Sequence, residues 1–183
     1  MVSLRVGMAD RTGSDSFEAV VLPHLDAAYN LARWLLRGSQ DAQDVVQEAM
    51  VRALTYFPGF RGDNARGWLL RIVRNAAYAS MNLNRGLVAV PIDSPAGEEL
   101  ALSDPSDDPE VALAKVQDRR KLGRMLAGLP VELREVLLLR EMEELSYKEI
   151  AAVTEAPIGT VMSRLSRARR VLAAAIEAGE RAA

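Results

Sequence analysis

Cysteine is absent from the 183 residues, and histidine occurs once, as His24. Without thiols there is no disulfide, no thiolate zinc site and no cysteine nucleophile, a composition that fits a reducing cytoplasm. One histidine excludes a multi-histidine metal centre. Any Ser-His-Asp mechanism would have to run through His24, which follows Pro23 near a helix start and reads as a structural or surface residue. Long apolar runs are also lacking. None reaches the roughly 18 residues of a membrane span, and the opening stretch MVSLRVGMADRTGSDS lacks the apolar core of a signal peptide. No direct membrane insertion is expected. There is no glycine-rich phosphate loop, no metal-ligand spacing and no internal repeat. The sequence therefore offers no catalytic residue, metal site, cofactor or small-molecule substrate site, and an enzyme is not expected.

Excess positive charge is missing too. The formal net charge is −2, so phosphate neutralisation alone would not hold this chain tightly on DNA. The charges are segregated, however. Residues 86–110 contain no Lys or Arg but carry Asp93, Glu98, Glu99, Asp104, Asp107, Asp108 and Glu110, whereas the last helix is rich in arginine.

What is present is helical periodicity. Apolar residues at spacings of three and four predict helices over Phe17–Leu36, from Ser39 to Phe57, over Ala65–Asn84, Val111–Leu126 and Val131–Arg140, and a final helical pair beyond Leu145. Pro23 is expected to kink the first helix or mark a late start, and Gly38 to end it. The inward stripe of the second helix reads as Val46, Ala49, Met50, Ala53, Leu54 and Phe57, with Leu83 among the packing residues of the third. Pro91, Pro95, Pro105 and Pro109 lie among acids in a stretch poor in large apolar residues, which predicts a flexible linker. The fold class is all-α: a tail over 1–15, a first helical domain over 16–86, an acidic linker over 87–110, a second helical domain over 111–175 and a tail over 176–183.

The second domain ends in LSYKEIAAVTEAPIGTVMSRLSRARRVL. Ser146 with Glu149 makes a capping box, Pro157 stops the short helix from running on, and Thr160 can cap the next, with Gly159 easing the entry. Val161, Leu165, Ala168 and Leu172 face inward. Ser163, Arg164, Ser166, Arg167, Arg169 and Arg170 remain outside, the pattern of a helix-turn-helix whose second helix enters the major groove. In the first domain, Asp44, Gln47, Glu48 and Val51 share one helix face, either a solvated acidic face or a contact strip for a basic partner. Phe60 and Arg61 read as exposed in the loop PGFRGDNARG. Arg71, Arg74, Asn75 and Tyr78 gather on one face of the third helix, a mixture suited to single-stranded nucleic acid.

DAQDVVQEAMVRAL, GWLLRIVRNAA, LPVELREVLLLRE, LSYKEIAAV and PIGTVMSRLSRAR, in this order, resemble the extracytoplasmic-function branch of the bacterial sigma-70 factors. The resemblance covers nearly all of Phe17–Leu172. It implies a cytoplasmic bacterial sigma factor with a region 2 and a region 4 that binds core RNA polymerase, at the β′ clamp helices and the β flap, and directs it to promoter DNA. An anti-sigma factor is the implied regulator, which can hold the protein at the membrane. Asp44, Gln47, Glu48 and Val51 would dock on polymerase. Phe60, Arg61, Asn64, Trp68, Arg71, Arg74, Asn75 and Tyr78 would melt and read the −10 element, the Phe60–Asn64 loop receiving a flipped base. Thr160, Ser163, Arg164, Ser166, Arg167 and Arg170 would read the −35 element. Glu155 stands where the family's turn usually has Gly, Met162 replaces a usual Arg, and ASMNLNRG is less basic than the family norm. A sigma-like decoy that binds only an anti-sigma factor, and an independent helix-turn-helix regulator, are the alternatives.

Overall fold

The computed structural model describes residues 17–36, 38–85 and 120–181, and the regular structure among them is entirely helical. The expected N-terminal tail, the 87–110 linker and the start of the helix expected at Val111 lie outside the described residues.

A helical turn over 17–21 buries Phe17 and Val21. A 3₁₀ turn, Leu22–His24, carries Pro23 in its first positions, where a missing N–H is tolerated. Helix α1 (Leu25–Leu36) follows, so at Pro23 the helical run that begins at Phe17 passes through a 3₁₀ turn. Helix α2 (Ser39–Tyr56) has Gly38 as its N-cap, with an extended backbone (φ −148°, ψ 146°). Gly38 thus serves α2 by its carbonyl, which accepts from the Ala42 amide at 3.3 Å, and does not adopt a left-handed helix stop. Small residues at Ala42, Ala49 and Ala53 line the buried stripe of α2 and let its neighbours approach closely. Leu54, expected inward, is 54% exposed. It follows Ala53 by about 100° of helix rotation, which turns it off the narrow stripe.

Helix α3 (Ala65–Arg85) buries Leu69, Leu70, Val73, Ala76 and Ala77 against α1 and α2. Leu83, expected to pack, is 75% exposed because the bundle core ends a turn earlier.

The second half consists of α4 (residues 120–128), α5 (Val131–Glu141), α6 (Tyr147–Thr154) and α7 (Ile158–Arg181). Val136, Leu139, Ile150, Val153, Val161, Leu165 and Ala168 make its core. Helix α7 runs through the alanines at 173–175 to Arg181, so the segment expected to be a tail from 176 is helical to that point, as strong helix formers favour.

The two halves pack on one another: α1 meets α5, and α3 meets α6. Arg134, 2% exposed, crosses the joint. Its guanidinium donates to the Leu35 carbonyl at 3.3 Å and the Ala127 carbonyl at 3.2 Å. A cation at the carboxyl end of α1 also meets the negative end of its helix dipole.

Candidate nucleic-acid and polymerase interfaces

The turn between α6 and α7 is built from local hydrogen bonds. The Glu149 amide donates to the Ser146 hydroxyl at 3.3 Å, and the Ser146 amide donates to the Glu149 carboxylate at 2.8 Å. The predicted capping box is therefore formed. Hydrogen bonding of the carboxylate to Ser146, its side chain first and its backbone amide next, holds the Glu149 pKa below the usual carboxylate range. Glu155 ends α6 in the left-handed region (φ 54°, ψ 35°), and the Ala156 amide donates to the Ala151 carbonyl at 3.1 Å. Helix α7 begins earlier than expected. The Thr160 and Val161 amides donate to the Pro157 carbonyl at 2.9 and 3.1 Å, so Thr160 lies in the first turn and does not cap the helix.

On α7, Ser163, Ser166, Arg167 and Arg170 are exposed, as is Met162. Thr160 is half-buried and its carbonyl accepts from the Ser163 hydroxyl at 2.9 Å. Arg164 is half-buried too and turns inward, 3.6 Å from the Glu135 carboxylate.

In the first half, all three phenylalanines of the chain join one cluster with Trp68. Phe17 meets Phe57 edge-on at 5.3 Å, Phe57 stacks on Phe60 at 6.1 Å, and Phe60 lies 4.8 Å from Trp68. Phe60 is half-buried by these rings, contrary to its expected exposure. Arg61 is exposed but folds over its own loop, donating to the Pro58 and Phe60 carbonyls at 2.6 and 2.9 Å. Asn64 has a task the sequence reading missed: its side-chain oxygen accepts from the Gly67 amide at 2.7 Å and caps α3. Asn directly before a helical run is the available signal. A cleft of about 640 Å³ opens here, walled by Phe60, Arg61, Asn64, Trp68 and Arg71 on one side and by Lys148, Glu149 and Ala152 of α6 on the other.

Part of the α3 face is covered by α5. Arg74 is largely covered. Its Nε donates to Glu135 at 3.0 Å, and its guanidinium lies 4.4 Å from the Tyr78 ring centre. Burial, the largest single influence, works to lower the Arg74 pKa, but the bond to Glu135, the charge of Glu135 and the neighbouring Tyr78 together outweigh it and the net direction is up. The Tyr78 hydroxyl is buried without a hydrogen bond. Burial first, then the nearby Glu135 carboxylate, raises its pKa well above that of an ordinary phenol. Asn75 is exposed. Arg71 pairs with Glu155 at 2.5 Å. Glu135, fully buried in α5, was missed in the sequence, although an acid flanked by buried leucines and valines was a visible signal.

On α2, Asp44, Gln47, Glu48 and Val51 share one exposed face, with Glu48 paired to Arg52 one turn on. An open cleft of about 610 Å³ runs beside them, lined by Leu25, Tyr29, Val46, Met50 and Val51.

Residues 20–84 match the sigma-70 region 2 family, and residues 119–172 match the sigma-70 region 4 family. An ECF RNA polymerase sigma-E factor of Escherichia coli is 38% identical over 140 residues, 73% of either chain. The chain belongs to the extracytoplasmic-function branch of the sigma-70 family. This sigma factor is also similar to the RNA polymerase sigma-H factor of Pseudomonas aeruginosa, 34% identical over 179 residues, covering 94% of this chain and 92% of that one. Among solved structures it resembles the sigma factor RpoE in complex with the anti-sigma factor NepR from Bartonella quintana. The TM-score is 0.72 at 26% identity, over 89% of this chain and 98% of that one. CnrH in complex with the cytosolic domain of CnrY gives a TM-score of 0.62 at 26% identity, over 90% of each.

Proposed function

We propose that this sigma factor docks on the β′ clamp helices of core RNA polymerase through Asp44, Gln47, Glu48 and Val51, and reads promoter DNA with two surfaces. The Phe60–Asn64 loop and α3 engage the −10 element, and the exposed face of α7 engages the −35 element while region 4 meets the β flap. The observation that carries the reading is the aromatic-floored cleft at the start of α3. Phe60 and Trp68 offer stacking surface beside the Asn64 amide and the Arg71 guanidinium, which together suit an unstacked base and its phosphate. Arg167 and Arg170 on α7 suit guanine edges or phosphates in the major groove. The protein works in the cytoplasm as a non-enzymatic subunit, and an anti-sigma factor is its regulator. The two solved relatives bound to such partners support that assignment.

Run-off transcription with purified core polymerase tests this. The protein is expected to support initiation from a subset of promoter fragments. Asp44→Arg should abolish core binding, and Arg167→Ala should leave core binding intact while removing initiation at promoters with a −35 element. Absence of both core binding and initiation by the wild-type protein would overturn the proposal. Core binding without initiation would favour the decoy.

A further inference from the structure

We propose that the leading part of α7 reads thymine: Met162, with Ile158 one turn before it, packs on the C5-methyl groups of thymines in the −35 element, at a place where a guanidinium would select guanine. This rests on the assignment of α7 as the −35 reader and deepens it by naming the base it prefers.

A helix that enters the major groove touches base edges with the residues of its first turns. Which of them point outward is set by the core. Val161, Leu165 and Ala168 are buried and fix the side of α7 that faces its own domain. At about 100° per residue, Ser163 and Arg170 come out nearly opposite that side, Arg167 on one flank, and Ile158 and Met162 on the other. Both apolar side chains are open, Ile158 at 47% and Met162 at 51% exposure.

The arginines of α7 stand elsewhere. Arg164 is turned to the buried Glu135 carboxylate at 3.6 Å, and Arg169 donates to Glu141 at 2.7 Å. Both pairs join α7 to α5 within region 4, so they do not depend on region 2. Arg167 and Arg170 carry no ion pair among the described residues, but they lie a turn or more beyond Met162. Residues 158–163 therefore bring no charged group to the groove. Their exposed hydroxyl, that of Ser163, already donates to the Thr160 carbonyl at 2.9 Å.

Base edges answer such a surface unequally. Guanine offers the acceptors O6 and N7 and no apolar group, whereas thymine offers one acceptor and a methyl group. Methionine laid on guanine would dehydrate two acceptors and give them no donor. Laid on thymine it covers the methyl, and its unbranched thioether chain adapts to where the methyl lies. Burying one methyl group is worth about fourfold in affinity. Ile158 and Met162 are four residues apart, about 6 Å along the helix axis. That spans roughly two base-pair steps, so two nearby thymines can be read together. A protein partner on the same patch is the competing account, and it predicts no response to a thymine methyl.

Holoenzyme assembled from the full chain and core polymerase is used to select duplex fragments randomised over the −35 region, with capture and run-off initiation scored separately. The wild type is expected to enrich thymine at one position or at two nearby positions. Each enriched thymine is then replaced by uracil, which removes the methyl group and nothing else. Capture by the wild type should fall about fourfold. Met162→Leu should respond as the wild type does, whereas Met162→Ala should be nearly indifferent to uracil at one enriched position and Ile158→Ala at the other. Met162→Arg should move the selection at its position from thymine to guanine. Both positions are exposed, and matching melting curves check that the variants fold alike. Selection without thymine, or an equal uracil effect in the wild type and both alanine variants, would overturn the proposal. Thymine fragments that are captured but never initiate would sink the sigma assignment and leave the base reading standing. Capture of no sequence at all would overturn both.

Discussion

The joint between the halves contains two kinds of ion pair, and a pair of double-mutant cycles separates them. Glu135 is fully buried and Arg74 keeps only 15% of its side chain exposed. Removing one partner of such a pair leaves the other charge desolvated, which costs about 3 kcal/mol or more. Arg71 and Glu155 are about half exposed, 53% and 47%, so water screens their attraction and their coupling should stay below about 1 kcal/mol. Arg164 remains near Glu135 when Arg74 is removed. The coupling in the buried cycle should accordingly reach about 2 kcal/mol and not the full penalty. The assay is urea denaturation of the full chain, following far-UV circular dichroism for both halves and, for the joint, the fluorescence of Trp34 and Trp68, which line cavities shared with the second half. Glu135→Ala should lower the midpoint, and separation of the two signals would mark undocking before unfolding. Arg74→Ala, Glu135→Ala and their combination close the first cycle, and Arg71→Ala with Glu155→Ala close the second. Equal coupling in the two cycles would refute the claim that burial sets the strength of this joint.

Further outcomes are expected elsewhere. Glu155→Gly should relieve about 1 kcal/mol of left-handed strain while losing an exposed pair worth up to about the same. Its melting temperature should therefore hold or rise, and a clear drop would contradict the account. Ser146→Ala removes the hydroxyl cap of α6 and should cost about 1 kcal/mol, seen as faster amide exchange in α6 than in α5. Hydrogen bonding lowers the Glu149 pKa below its reference of 4.5, so its contribution to stability is complete above that value and fades as pH falls through the lower folded pKa. Glu149→Gln should flatten the acid limb of the stability profile there, and an unchanged limb would count against this assignment.

Local structure was the legible part of the sequence. Apolar spacing located the helices, and Ser146 with Glu149 announced the start of α6 because a capping box lies within one turn of chain. The joint was not legible. Its partners lie 61 residues apart for Arg74 and Glu135, 77 for Arg66 and Glu143, and 85 for Asn64 and Glu149. Pairing over such distances leaves no period in the sequence. Arg71, Arg74 and Tyr78 were therefore read as facing nucleic acid, although in this structure Arg71 and Arg74 face acids and Tyr78 is buried beside one. Leu54 and Leu83 misled for a simpler reason: periodicity states which residues share a face, but the width and length of the buried stripe come from the neighbouring helices.

Asn64 and Glu149 each hold two things at once, with different atoms. The Asn64 oxygen caps α3 while its nitrogen touches Glu149, and one Glu149 oxygen closes the box on Ser146 while the other receives Asn64. The link between them can break without uncapping either helix, so the joint behaves like a press-stud, parting cleanly from two pieces that keep their shape. The chemistry also suggests how to pry it apart by design. Asn64→Asp keeps an oxygen for the cap, since Asp serves that position as well as Asn, yet sets a second carboxylate against Glu149 and converts a fastening into a repulsion.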